Sequence, residues 1–243
     1  RIGGFTLEPE PIMGASVPEY YRNKAQYPLG VDEKGNAVAG FYAKRSHRII
    51  QTDCCRIQDK RFAPIVQWIL RFINEHKISV YDEETGKGLL RHIYLRVGRS
   101  SGEMMVCLVA TGKKLPFSRE FAQELQRQFP QVTSVILNRN ARNTNVILGD
   151  EFYLLSGNDS IKDIFLDKEF CIAPSAFYQV NKEQAERLYS LAFEYAQFTG
   201  KELLLDLYCG IGSIGLSAYS KVDRLIGVEV VAPAVRSEEH TSE

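Results

Sequence analysis

The residues whose types and spacing point most directly to chemistry lie late in the 243-residue chain: Asp206, the run Cys209-Gly210-Ile211-Gly212-Ser213-Ile214-Gly215, and then Glu229. A G-x-G-x-x-G run between an apolar strand and a helix brings backbone close to a nucleoside cofactor, because glycine has no Cβ to hold a ligand away. Alone, the pattern suits the pyrophosphate of a dinucleotide as well as it suits S-adenosylmethionine. Asp206 separates the two, since it stands at the carboxyl end of the strand just ahead of the first glycine. A diphosphate there would be repelled: two like charges about 4 Å apart cost roughly 4 kcal/mol at an effective dielectric near 20. The amino group and sulfonium of S-adenosylmethionine are attracted by the same carboxylate, which acts either directly or by ordering the loop's amides. Glu229 closes the next apolar run, a position from which a carboxylate accepts both ribose hydroxyls of either cofactor. The residues therefore favour the methyl donor, with an NAD-dependent oxidoreductase as the alternative.

At these positions the chain also resembles a known family. Leu205-Asp206-Leu207-Tyr208-Cys209-Gly210-Ile211-Gly212, taken with Phe177-Tyr178-Gln179-Val180-Asn181 upstream, resembles the RNA uracil-5-methyltransferases, the 23S ribosomal RNA enzymes of RumA and RlmD type and their Gram-positive relatives. Tyr21-Arg22-Asn23-Lys24-Ala25-Gln26 and Leu137-Asn138-Arg139-Asn140 extend the resemblance, which covers about residues 10 to 235. It implies that Gln179 contacts S-adenosylmethionine, that Tyr208 packs against it, that Glu229 holds its ribose and that Phe177 stacks on a displaced base. Filling core space is the competing reading of Tyr208 and Phe177. Ser213 stands where the family often has Asn or Thr, so no cofactor contact is expected of it.

The resemblance further implies a substrate, uridine in 23S ribosomal RNA, and a mechanism. A cysteine thiolate adds to C6 of a flipped base, the activated C5 takes the methyl group, and a carboxylate removes the C5 proton. The family's nucleophile and base lie later in this domain than the last residue here. No catalytic residue is therefore expected within the chain, which reads as a fragment truncated at both ends and inactive alone. A non-catalytic RNA-binding module is the further alternative.

Five cysteines, an odd number without framework spacing, read as reduced thiols. Cys209 lies in the cofactor loop, away from the family's nucleophile. Cys107 and Cys171 fall in apolar runs and read as buried thiols. Some relatives bind a 4Fe-4S cluster through three upstream cysteines and one near Cys54-Cys55; the resemblance matches Cys55 to the latter, so a cluster is possible only in the full-length protein. In this chain the pair reads as two reduced core cysteines. His47, His76 and His92 lack metal-ligand spacing, and no metal site is expected.

Thirty basic residues balance thirty acidic ones, so any RNA-binding surface must be local. The candidates are Arg22 and Lys24, Lys44-Arg45-Ser46-His47-Arg48, and Arg91, Arg96 and Arg99, with Tyr42 and Tyr94 for stacking. Solvated faces and strand filling are the competing readings.

These residues need elements to position them, and the fold class reads as α/β: an α+β central domain followed by the first part of a Rossmann-like methyltransferase domain. Residues 1–19 read as a connector from a missing amino-terminal domain, 20–172 as the central domain, 173–235 as the start of the methyltransferase domain and 236–243 as a non-native tail. Helical spacing predicts helices over Phe62 to Lys77 and Ser118 to Phe129. Strands are predicted at Leu89 to Val97 and Met104 to Ala110, joined as a hairpin, and at Ser134 to Leu137 and Thr144 to Leu148. Asn181 with Gln184 suggests a capping box opening a helix. Leu203 to Tyr208 reads as a parallel strand buried on both faces, followed by the glycine loop, a helix over Ser213 to Tyr219 and a strand over Leu225 to Val230. At 44% hydrophobic and 25% charged, with no apolar run near the roughly 20 residues of a membrane span, the chain reads as cytoplasmic.

Overall fold

A computed structural model describes Gly4 and residues 10–230 other than 45 and 47. The expected tail at 236–243 lies outside them, as do Arg45, His47 and much of the expected connector.

Seven strands form one sheet in the order β3-β2-β1-β4-β5-β6-β7: β1 Lys24–Val31, β2 Ala37–Tyr42, β3 Ile49–Gln51, β4 Leu90–Val97, β5 Met104–Ala110, β6 Val132–Arg139 and β7 Glu151–Gly157. Neighbours are antiparallel except β5 and β6, which run parallel because helix α2, Ser118–Gln128, carries the chain back between them. Helix α1, Phe62–Glu75, sends Phe62, Ile65, Ile69 and Ile73 into one face of the sheet, where they meet Ile93, Leu95, Val106 and Leu108. These helices and the β4–β5 hairpin fall where helical spacing and the two β-prone runs put them.

The opposite face is also covered. Tyr94, Met105, Cys107, Val109 and Ile136 pack beneath a hairpin of β8, Ile161–Phe165, and β9, Lys168–Ile172, together with Tyr178, Ala185 and Tyr189. Helix α3, Lys182–Ala196, carries the last two, and Asn181 Oδ1 caps it by accepting from the Gln184 amide at 3.3 Å. The apolar signal of β8 and β9 is short and interrupted by charge, and sequence reading passes over them.

Two expectations are corrected. Thr144 to Leu148 is not a strand: the buried amides of Asn138 and Asn140 take up the carbonyls of Gly149, Glu151, Val146 and Ile147, supplying the bonds a ladder would otherwise give. The strand that pairs antiparallel with β6 is β7. The second correction concerns β10, Leu203–Leu207, which pairs in parallel with β11, Arg224–Val228, across helix α4, Gly215–Ala218. This is the opening β-α-β unit of a Rossmann-like domain, yet Leu203, Leu205 and Leu207 are 51%, 54% and 59% exposed. Among the described residues only β11 flanks β10, and a four-residue helix is too short to cover a sheet face. Among the described residues no helix is long and apolar enough to cross a membrane.

Candidate cofactor site

The glycine loop begins where β10 ends. Tyr208 takes a left-handed backbone, φ 67°, a conformation that costs a non-glycine residue about 1–2 kcal/mol. Its amide and that of Cys209 donate to the Val228 carbonyl at 2.8 and 3.1 Å, which ties the loop to the end of β11. Gly210 and Gly212 follow at φ 62° and 70°. The third glycine, Gly215, is needed for space: a Cβ there would lie 2.9 Å from Leu225 Cδ1 and 3.0 Å from Asp206 Oδ2.

Both carboxylates point into this loop. Asp206 Oδ2 accepts from the Gly215 amide at 2.9 Å, and Glu229 Oε2 accepts from the Gly210 amide at 2.9 Å. The amides of the first and third glycines are thus engaged by the chain's own acids. A pyrophosphate bound to such a loop draws on those donors and is repelled by carboxylates. An adenosine cofactor with a cationic sulfur and an ammonium group faces attraction instead, so the donor set fits S-adenosylmethionine and does not fit a dinucleotide. Of the two ways Asp206 was expected to act, the loop-ordering one is present.

The loop is anchored from below by Ile211, 3% exposed, which joins the same apolar core as Tyr178 and Tyr189. That core brings the Phe177-to-Asn181 segment to the loop. Along this extended stretch alternate side chains face inward, so Ala176 and Tyr178 are buried and Phe177 is 69% exposed. Tyr178 Oη donates to Asp163 Oδ2 at 3.1 Å; burial, then the Asp163 charge, pushes its pKa well above the ordinary phenol range. Gln179 is half-buried, and its Nε2 donates to Tyr189 Oη at 3.3 Å. Tyr208 is 87% exposed. Neither Tyr208 nor Phe177 fills core space, which removes that competing reading: one sits on the outward beat of an extended segment and the other on a left-handed turn.

Other candidates are redistributed. Arg91 and Arg96, each 4% exposed, are internal rather than phosphate-facing. Arg91 pairs with Glu83 at 2.9 Å and donates to the carbonyls of Asn140 and Arg142. Arg96 donates to Tyr94 Oη and to the carbonyls of Ala173 and Ala176, and Tyr94 Oη donates to the Pro174 carbonyl at 2.8 Å. This buried pair therefore holds the strap leading to Gln179, and Tyr94 is not available for stacking. Sequence reading missed that role, although the signal was there: Arg96 and Tyr94 share one face of a strand without an exposed position. Arg99 pairs with the buried Asp59 at 2.6 Å. Arg22, Lys44 and Arg48 remain exposed, while Lys24 is half-buried and its pKa is lowered by burial and then by Arg96 and Arg22.

Cys54 is exposed and Cys55 half-buried, so the pair is not in the core as expected; it rides the surface turn after β3, where Thr52 Oγ1 donates to the Cys54 carbonyl at 2.7 Å. Cys107 is fully buried and its thiol pKa is pushed up by burial, whereas Cys171, on the β8–β9 hairpin, is only half-buried. Among the described residues no group of three or more His, Cys, Asp or Glu side chains is placed to hold a metal ion.

Comparison with known proteins gives a consistent result. The sequence profile of the tRNA (uracil-5-)-methyltransferase family matches residues 6–241. An uncharacterized RNA methyltransferase of Clostridium tetani is 42% identical over 98% of this chain and 51% of its own length, and one of Bacillus cereus is 41% identical over 97% and 51%. The chain thus spans about half the length of the curated relatives it matches. Among solved structures, the tRNA (uracil-54, C5)-methyltransferase of Pyrococcus abyssi in complex with S-adenosyl-L-homocysteine superposes with a TM-score of 0.75 at 25% identity, covering 92% of this chain and 53% of that one.

Proposed function

The chain belongs to the tRNA (uracil-5-)-methyltransferase family, and from that premise we propose that the full-length protein methylates C5 of a uridine in RNA, using S-adenosylmethionine. The observation that carries this reading is the capture of the Gly210 and Gly215 amides by Glu229 and Asp206, which suits a cationic adenosine cofactor and opposes a diphosphate. The cofactor supplies the methyl group. Gln179, Tyr208 and Glu229 are the residues proposed to hold it: Glu229 through the ribose hydroxyls, Tyr208 through its exposed ring and Gln179 through its amide. Asp206 keeps the loop closed around that position. Phe177, also exposed, is proposed to stack on the displaced base. Residues 20–172 form the proposed central domain and 173–235 the start of the methyltransferase domain.

Uracil C5 is a weak nucleophile, and we assign its activation to a cysteine thiolate of the full-length protein adding to C6; once C5 has taken the methyl group, a carboxylate removes the C5 proton as the C6–S bond breaks, restoring the ring double bond and the free thiolate. Cys209 is not that cysteine, because it lies in the cofactor loop with Sγ beneath Gly227. Where a 4Fe-4S cluster is present in the full-length protein, the accessible Cys55 is its proposed ligand from this segment. Uridine in 23S ribosomal RNA is the proposed substrate; the Pyrococcus protein acts on uracil-54 of tRNA, which makes transfer RNA the rival.

Calorimetry on the full-length protein tests the cofactor, with S-adenosylhomocysteine and NAD titrated separately. Saturable binding of S-adenosylhomocysteine alone, weakened by Glu229→Ala, is expected; binding of NAD alone, or of neither, overturns the reading. Methyl transfer to 23S ribosomal RNA but not to tRNA transcripts is the expected substrate result, and the reverse assigns transfer RNA.

A further inference from the structure

The strap between β9 and α3 carries both Phe177 and Gln179, and its carbonyls are taken by donors from the central sheet. Near its start the Arg96 guanidinium takes the carbonyls of Ala173 and Ala176, and Tyr94 Oη takes that of Pro174. Near its end the donor is Asn23, a 3% exposed residue immediately ahead of β1. Its Nδ2 donates to the Gln179 carbonyl at 2.9 Å and its amide to the Val180 carbonyl at 3.0 Å, beside an antiparallel bridge of Arg22 with Asn181. The carbonyl of Asn23 accepts from the Val97 amide at 2.9 Å, which ties the whole grip to the end of β4.

The two grips hold different things. Arg96 and Tyr94 act ahead of Phe177, whereas Asn23 acts on Gln179 itself. A buried carboxamide donating to a carbonyl fixes that peptide plane, because turning it away leaves a desolvated donor and acceptor unpaired. The plane of the peptide in turn sets the direction in which the Gln179 side chain leaves the strap.

The far end of that side chain is held by a separate element. Gln179 Nε2 donates at 3.3 Å to the hydroxyl of Tyr189, which lies in the second turn of α3. Tyr189 is buried, and its ring meets the buried Phe165 edge to face with centroids 5.3 Å apart, so the hydroxyl is a fixed point. Gln179 is thus set at both ends by residues outside its own segment, one before β1 and one on α3.

We infer that Asn23 and Tyr189 are positioning residues for Gln179, Asn23 fixing its backbone and Tyr189 its carboxamide. A side chain held in advance loses little freedom when its ligand arrives, which is how residues at this remove add to affinity. The run Tyr21-Arg22-Asn23-Lys24 thereby serves the cofactor site through the strap. The inference rests on the reading that Gln179 contacts S-adenosylmethionine.

The test uses full-length protein with Asn23→Ala, Tyr189→Phe and Gln179→Ala made singly, and with each of the first two combined with the third. Asn23→Ala and Tyr189→Phe are each expected to weaken S-adenosylhomocysteine binding roughly tenfold. In the Gln179→Ala background neither is expected to change it by more than about twofold, since both act through that side chain. In methyl transfer the KM for S-adenosylmethionine is expected to rise about tenfold while the KM for RNA stays within about twofold, because Arg96 and Tyr94 still hold the strap beside Phe177. Leu95→Ala, in the core on the other face of the sheet from Tyr94, is the control for lost stability and is expected to leave both KM values unchanged.

Wild-type affinity in both single variants overturns the inference. So do effects that add in full to that of Gln179→Ala, equal rises in the two KM values, or the same rise in Leu95→Ala. If Asn23→Ala does not fold, Tyr189→Phe decides, since it removes one oxygen and keeps the ring against Phe165. A wild-type protein that does not bind S-adenosylhomocysteine refutes the proposed function instead. Positioning is then judged by hydrogen exchange: Asn23→Ala is expected to speed exchange in residues 176–182 and leave α1 unchanged, and unaltered exchange in that segment overturns the inference.

Discussion

Strand β5 reads Met-Met-Val-Cys-Leu-Val-Ala and strand β10 reads Leu-Leu-Leu-Asp-Leu, both near-continuous apolar runs with a parallel neighbour. Every residue of β5 is buried, whereas β10 alternates between half-buried and exposed. Apolar continuity specifies that a strand forms and prefers burial; it does not supply what buries it. For β5 the covering layers are α1 and α2 on one face and the β8–β9 hairpin with Tyr178 and Tyr189 on the other. Around β10 the described residues supply β11 and the four residues of α4.

Identical substitutions in the two sheets give the widest separation. Leu95→Ala, in the fully buried β4, is expected to cost about 2–5 kcal/mol in urea unfolding, because deletion leaves a cavity among packed neighbours. Leu205→Ala is expected to cost under about 0.5 kcal/mol, as for an exposed site. Equal losses at the two positions would show that β10 is covered in solution and would collapse the contrast.

Acid sharpens it next. Burial, then the Arg91 charge, lowers the His92 pKa to about 4. The unfolded chain therefore takes up a proton near pH 6.5 that the folded sheet refuses, and stability is full above that value and falls as pH drops towards 4, by about 3 kcal/mol at most. In urea titrations across this window His92→Gln is expected to flatten the slope; a slope indifferent to the substitution would place the acid sensitivity elsewhere.

In the smaller sheet the expected effects are on binding. Asp206→Ala leaves the Gly215 amide unpaired and is expected to lower S-adenosylhomocysteine affinity of the full-length protein roughly tenfold or more, a loss of about 1.4 kcal/mol or greater. Affinity within a factor of two of wild type would refute the loop-ordering role. The smallest stability change is expected for Tyr208→Gly, where release of left-handed strain offsets added freedom in the unfolded chain, leaving stability within about 0.5 kcal/mol. Calorimetry should nonetheless show weaker cofactor binding, and unchanged binding would leave the exposed ring without a function.

How far the sequence was legible follows the same line. Local signals survived intact: the stripe of α1, the capping bond of Asn181 and the parallel β10–β11 pair all match their patterns. Long-range pairing did not show itself, because nothing local reveals that Asn138 and Asn140 will serve a loop rather than a turn, or that Thr144 to Leu148 will yield its place to β7. At the candidate site, Asp206 and the glycines were readable from type and spacing. The burial of Arg91 and Arg96 was not, since a guanidinium that tracks phosphate and one that grips carbonyls look alike until the carbonyls are in place.

The Asn138 and Asn140 contacts have a bearing on how the protein breathes. Asn138 Oδ1 accepts from the Gly149 amide at 2.7 Å, and Asn138 is itself fully buried on β6. Exchange of that amide requires release of a bond made to a buried side chain of the sheet, so the opening of the base of the β6–β7 loop is coupled to β6 rather than governed by the surface alone. Its tip can move on the timescale of a loop while its base moves with the strand.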